Sequence, residues 1–174
     1  MKIWNRKSAH DVVRENLQEF FPRLWRYSLA LTGDKTRSDD LAQAACLRAL
    51  DKADKFQEGT HFDRWMFRLT QRLWINEIRK QAVRTGGGLA SIEEEDLVDN
   101  QLDPEMNLLG KEVLSEVMRL PEAQRATVLL VYVEGYSYKE AASLLDIPIG
   151  TVMSRLAVAR GKLVQKYGDR AEVG

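Results

Sequence analysis

The sequence predicts an all-α protein: two small helical domains joined by a flexible acidic linker, the C-terminal domain containing a helix-turn-helix. Three observations predict it. Apolar residues recur at three- and four-residue spacings along most of the 174 residues, the signature of amphipathic helices. Alternating, strand-like runs are weak throughout. Between the two helical halves lies Gly86-Gly87-Gly88 followed by a run of acids, a composition that does not sustain a helix.

The elements follow in order. Leu17 to Leu31 carries Leu17, Phe20, Phe21, Leu24, Trp25, Tyr27 and Leu31 on one helical face, and Thr32-Gly33-Asp34 stops it. Ser38 or Asp39 can cap a second helix, Asp40 to Ala53, with a face of Leu41, Ala44, Ala45, Leu47 and Leu50. After the loop Lys55 to His61, a third helix runs from Asp63 to Gln81. A further helix is expected from Asp103-Pro104 to about Leu120. Pro121 suits a first helical position, so the next helix runs from Glu122 to Glu134 and ends at Gly135. Ser137 and Glu140 form a capping box at the start of Tyr138 to Leu145. Asp146-Ile147-Pro148 is a tight turn, and Ile149 to Lys166 is the last helix. The domains expected are thus 1–84 and 103–174, with the linker at 85–102.

Charge is segregated although it sums to zero. Residues 1–84 hold 17 basic and 11 acidic side chains, residues 85–110 none and 7, and residues 111–174 9 and 8. Such a pattern points to a polyanionic partner for the basic part and leaves the acidic run as either a solvated linker or a mimic of that partner. The single cysteine, Cys46, excludes an internal disulfide and has no ligand-spaced neighbours, so a small buried side chain is expected. His10 and His61 belong to no metal motif. There is no phosphate-cradling glycine loop with lysine and no nucleophile–base pattern. Neither an enzyme, a metal nor a cofactor is expected. No apolar run is long enough for a bilayer and no signal-peptide core is present, so a cytoplasmic protein without membrane insertion is expected.

Tyr138 to Leu163 carries the strongest functional signal: a short helix, a turn and a longer helix, the helix-turn-helix pattern. Ala141 and Ala142 let the two helices approach, and Ile147, Val152 and Leu156 form the seam. Thr151, Met153, Ser154, Arg155, Ala157 and Val158 are left facing outward, with Arg160 and Lys162 beyond them. Arg155 can reach base edges or phosphate; Arg160 and Lys162 suit phosphate. The plainer alternative is a helical hairpin within a core.

These residues also carry a resemblance. Gly150-Thr151-Val152-Met153-Ser154-Arg155-Leu156, with Ala159-Arg160 and Lys162-Leu163, resembles the recognition helix of the extracytoplasmic-function sigma factors. Leu120-Pro121-Glu122-Ala123-Gln124-Arg125 resembles that family's Leu-Pro-x-x-x-Arg motif, and Gly135 to Ala142 its preceding helix. In the other half, Asp39-Asp40-Leu41-Ala42-Gln43 resembles its Asp-Leu-x-Gln signature. Phe56 with Phe62 to Phe67 resembles its loop and helix for the melted promoter strand.

The resemblance implies partners and roles. The first domain would bind the clamp of core RNA polymerase through Asp40, Leu41 and Gln43 and capture the melted non-template strand of the −10 element. Lys55, Phe56, Gly59, Thr60, His61, Phe62, Arg68 and Arg72 would meet that strand. The second domain would read the duplex −35 element of promoter DNA, and an anti-sigma protein would regulate the chain. No homodimer is needed. The residues are compatible with these roles and with plainer ones. Asp40 and Gln43 share a helical face, but an Asp near a helix start also suits the macrodipole. Aromatics with cations suit unstacked bases, but Phe56, Phe62 and Trp65 can equally be core, and core is the expectation for Trp65 and Phe67.

Two positions depart from the family. Arg72 stands where many relatives have Asn, shifting readout toward phosphate attraction. Val158 stands where a basic residue is common, removing about one phosphate contact. Two other classes compete with the sigma reading. An ordinary helix-turn-helix regulator would need a ligand or receiver domain in the N-terminal half and a homodimer on palindromic DNA. A sigma-mimicking decoy would sequester an anti-sigma protein without binding DNA.

Overall fold

The computed structural model describes residues 7–84 and 114–171, with side chains as far as Gln165. The chain divides into two compact units, Met1–Ser28 with Thr36–Leu89 and Leu29–Lys35 with Ala90–Gly174. All regular structure among the described residues is helical. The predicted linker, 85–102, and most of the helix expected to precede Leu120 lie outside the described residues. Only a helical turn at 114–118 remains of the latter.

The first unit is built on three long helices: α1 (Ala9–Thr32) as far as Ser28, α2 (Lys35–Asp51) from Thr36 on, and α3 (Phe62–Arg84). α1 begins eight residues before the expected Leu17. The Ser8 hydroxyl accepts a hydrogen bond from the Asp11 amide at 3.2 Å, an N-cap geometry. Val12 and Val13 are buried in the added turn. Pro22 lies inside α1 and, having no N–H, interrupts one rung of its ladder. α3 is joined to α1 by rings: Phe20 lies edge-on to Phe62 and Phe67 at 5.8 and 5.1 Å, and Tyr27 stacks at a tilt on Phe67 at 4.7 Å. The buried Tyr27 directs its hydroxyl to Gln71 Oε1 at 2.7 Å, which removes the cost of burying it.

α2 differs from expectation in both start and face. It begins at Lys35, so Ser38 is a fully buried residue within it and neither Ser38 nor Asp39 is its cap. Its buried residues are Ser38, Leu41, Ala42, Ala45 and Ala49. Ala44 faces solvent, and Leu47 is 64% exposed. Four-residue spacing from Leu41 to Ala49 defines a seam of mostly small side chains, which lets the helix pack closely. Cys46 is half-buried, and burial raises its thiol above the ordinary range. That disfavours the reactive thiolate.

The second unit contains α4 (Glu122–Val128), α5 (Tyr138–Leu145) and α6 (Ile149–Ala171). α4 packs on α6, as does α5. Leu120 is buried, and Pro121 is the N-cap of α4 rather than its first residue. Arg125 points back and donates from Nη1 to the carbonyls of Met118 and Leu120 at 3.0 and 2.9 Å. The Leu-Pro-x-x-x-Arg spacing thus lets one turn of helix return a cation to the chain that leads into it. Burial lowers the Arg125 pKa from its ordinary value, consistent with a charge held by carbonyls instead of water.

The helix expected to run from Glu122 to Glu134 widens after Val128 into a π-turn, Leu129–Val133. Leu130 is buried there, while Tyr132 and Val133 are exposed. At Gly135 the backbone reaches φ +74°, which ends the element at the expected residue.

α5 has the expected bounds, and both of its ends are specified locally. Ser137 Oγ accepts from the Glu140 amide at 3.3 Å, and Glu140 Oε2 accepts from the Ser137 amide at 2.9 Å. At the other end Asp146 adopts the left-handed conformation, φ 55°, and the Ile147 amide bonds the Ala142 carbonyl at 3.1 Å. Replacing Ser137 with Ala removes one half of the box. The expected result is a loss of about 1 kcal/mol in urea unfolding, with Ser137→Asp retaining most of the stability.

Candidate nucleic-acid and polymerase interface

The second unit places the helix-turn-helix residues in two layers. α5 and α6 meet at 106°, within the range of this motif. The seam is Ala141, Ala142, Leu144 and Leu145 against Val152, Leu156 and Ala159, all buried. Ile147, expected in the seam, is half-buried. α6 opens on Pro148, whose carbonyl accepts from the Thr151 amide at 2.9 Å. Met153, Ser154, Ala157, Val158, Arg160 and Lys162 are exposed, while Thr151 and Arg155 are half-buried on the flank. The Ser154 hydroxyl donates to the Thr151 carbonyl at 3.0 Å. The eight predicted duplex-reading residues therefore share the outer half of one helix, though not equally.

In the first unit the predicted strand-binding residues separate into packing and surface groups. Phe62 is buried and Phe56 half-buried. With Trp65 they form a ring cluster at centroid distances of 5.2 to 5.8 Å. Phe62 is thus a core residue that fixes the loop, and Phe67 is core as expected; Trp65 is half-buried. Between Phe56 and Phe62 the loop is tied by Thr60 Oγ1 donating to the Gln57 carbonyl at 2.7 Å. Gly59 sits at φ +86° with open space around it, so its backbone is strained for any side chain yet sterically free. Lys55, Gly59, Thr60 and His61 are exposed. Beside Phe56 lies a small cleft of about 190 Å³ lined by Lys7, Ala9, Val12, Phe56 and Glu58. Of these only Phe56 was expected from sequence; the N-terminal wall depends on the early start of α1. On α3, Arg68 and Arg72 are exposed one turn apart, on the side away from buried Phe67, Thr70 and Trp74.

The third group lies on α2. Asp40 and Gln43 are exposed, but Leu41 is 8% exposed and belongs to the core. The surface beside Asp40 and Gln43 is completed by Ala44 and Leu47 instead. Because α2 starts at Lys35, Asp40 is past its first turn, where the macrodipole has little hold on a carboxylate. Asp39, by contrast, accepts a hydrogen bond from Trp25 Nε1 at 2.7 Å and is tied to the fold. Asp40 borders a groove of about 680 Å³ between α2 and α3, lined also by Leu41, Ala44, Leu73 and Trp74. Arg37 lies over the Trp74 ring at 4.9 Å. Among the described residues no three His, Cys, Asp or Glu groups cluster to hold a metal. No single described helix is long and apolar enough to cross a membrane.

Comparison with known proteins decides what these surfaces belong to. Residues 17–84 match the Sigma-70 region 2 family and residues 111–163 the Sigma-70 region 4 family. Over 163 residues the chain is 31% identical to the ECF RNA polymerase sigma factor EcfG of Rhodopseudomonas palustris, covering 93% of this chain and 89% of that one. The chain belongs to the extracytoplasmic-function sigma factors. In fold, this sigma factor resembles the sigma factor RpoE of Bartonella quintana, solved in complex with the anti-sigma factor NepR, with a TM-score of 0.73 and 24% identity over 87% of this chain and 94% of that one. The same fold extends to the anti-anti-sigma factor PhyR of Bartonella quintana, with a TM-score of 0.54 and 15% identity over 88% of this chain and 50% of that one. Fold alone therefore does not separate a sigma factor from an anti-anti-sigma factor. The sigma factor's α5 and the first part of α6, to Leu163, fall in its region 4 match, and α2, the Phe56 loop and α3 in its region 2 match.

Proposed function

We propose that this sigma factor binds core RNA polymerase through the exposed side of α2, centred on Asp40 and Gln43, and places both units on a promoter. The Phe56 loop and the cations Lys55, Arg68 and Arg72 take the melted strand of the −10 element. The cleft beside Phe56 is smaller than a drug-sized pocket and suits one unstacked base, with the ring as its stacking platform. α6 reads the duplex −35 element from its outer face, with Arg160 and Lys162 on phosphate. The observation that carries this reading is the order of matched regions on one chain: Sigma-70 region 2 followed by Sigma-70 region 4. An anti-sigma partner is proposed from the resemblance to RpoE in its complex with NepR.

The test is transcription in vitro with core polymerase and genomic DNA fragments, with mapping of start sites. New starts sharing two upstream elements are expected. Phe56→Ala should lower open-complex formation roughly 5- to 150-fold, the range of one base–aromatic stack, while leaving assembly with core enzyme intact. The second reading is a decoy that captures an anti-sigma protein without promoter DNA, favoured by the likeness to PhyR. Folded protein that binds an anti-sigma protein but starts no transcript on any fragment would establish it.

A further inference from the structure

We infer that this sigma factor reads its duplex element through thymine 5-methyl groups, contacted by Met153 and Val158; the inference rests on the proposed function of α6. Recognition helices usually present hydrogen-bonding side chains to base edges. The outward side of α6 presents few. Met153 is 53% exposed and Val158 49%. Ala157 between them is exposed, as are Gly150 and Gly161, which bring no side chain. Ser154 has its hydroxyl hydrogen turned to the Thr151 carbonyl, and Arg155 is half-buried on the flank. The cations Arg160 and Lys162 are exposed farther along the helix, so the charge that attracts phosphate flanks an apolar reading surface.

The major groove offers one apolar group among its base edges, the thymine methyl. An amine or carbonyl edge pressed against Met153 or Val158 would lose water and gain no hydrogen bond, which is costly. A methyl in the same place loses nothing and is removed from water. The surface thus selects by two effects of the same sign. Met153 and Val158 are five residues apart, roughly 7.5 Å along the helix axis. Five residues also turn about 140° around the helix, so the two side chains lie on opposite flanks of the outward face and suit separate thymines.

The experiment replaces each thymine of the upstream element with deoxyuridine, which removes only the methyl, in a promoter found by start-site mapping. Binding of the polymerase holoenzyme containing the full chain is then measured. At one or two positions affinity is expected to fall roughly three- to five-fold per methyl, the worth of one buried carbon. Met153→Ala or Val158→Ala should weaken binding to the thymine duplex and remove the penalty for deoxyuridine at its own position. Both side chains are exposed, so folding is not at risk. Equal binding of thymine and deoxyuridine duplexes by active holoenzyme overturns the inference and leaves the function standing. So does a deoxyuridine penalty that persists unchanged in the doubly substituted protein, since the methyl would then act through DNA shape. A holoenzyme that starts no transcript anywhere overturns the proposed function and this inference with it.

Discussion

Leu156→Ala is expected to lower the stability of the second unit by about 3 kcal/mol, within the range for a fully buried leucine. Leu156 has no exposed surface and lies on α6 where that helix meets α4 and α5. A domain of this size holds only some 5 to 10 kcal/mol in total, so the loss is a large share of it. The chain provides its own means of separating the units: all four tryptophans, Trp4, Trp25, Trp65 and Trp74, precede the second unit's main segment. In a urea titration, the helical circular dichroism signal should lose part of its amplitude early, while tryptophan fluorescence keeps its midpoint. Leu47→Ala, at an exposed site, should move neither by more than about 0.5 kcal/mol. A common shift of both signals in Leu156→Ala would mean that the seam's packing energy does not belong to the second unit alone.

On the proposed contact, with Asp40 set against a polymerase cation, Asp40→Arg is expected to reduce affinity for core polymerase by on the order of 100-fold, since a close interfacial charge pair is worth about 2 to 5 kcal/mol. Asp40 is exposed and past the first turn of α2, so the thermal midpoint should hardly change. Asp39→Ala is the matching control. Asp39 accepts the Trp25 indole N–H, so its loss should touch stability and leave affinity within a few-fold of the parent. Binding measured by surface plasmon resonance against immobilised core enzyme separates the two. Unchanged affinity in Asp40→Arg would remove α2 from the polymerase interface.

Much of this fold was legible because its signals are local. Ser137 and Glu140 name the start of α5, Gly135 the end of the element before it, and Asp146-Ile147-Pro148 the turn. The rotation of α2 was not legible. Leu41 and Ala45 are buried as read, but taking the rest of the face from Leu47 and Leu50 follows the larger side chains, whereas the core is completed by Ser38, Ala42 and Ala49. Alanine contrasts weakly with its neighbours on any hydropathy scale and is buried for its small volume, which periodicity does not measure. The start of α1 was missed for a related reason: Ser8 and Asp11 are a cap signal, but the apolar run taken as its helix begins farther on. The widening at Leu129–Val133 has no signal in spacing that we recognise. At the candidate site, motif and periodicity placed α6 correctly. They did not distinguish Leu41 and Phe62, which pack inside, from Asp40 and Phe56, which border open clefts.

The two locally specified ends of α5 bear on how the protein comes into being. A helix of eight residues is too short to persist alone, yet its first and last turns are fastened by residues no more than five positions apart. The elements it must find, the π-turn before it and α6 after it, are its immediate neighbours along the chain. Little loop entropy has to be spent before such contacts form, and chains built this way fold quickly. The helix-turn-helix itself can therefore form from neighbouring stretches of chain.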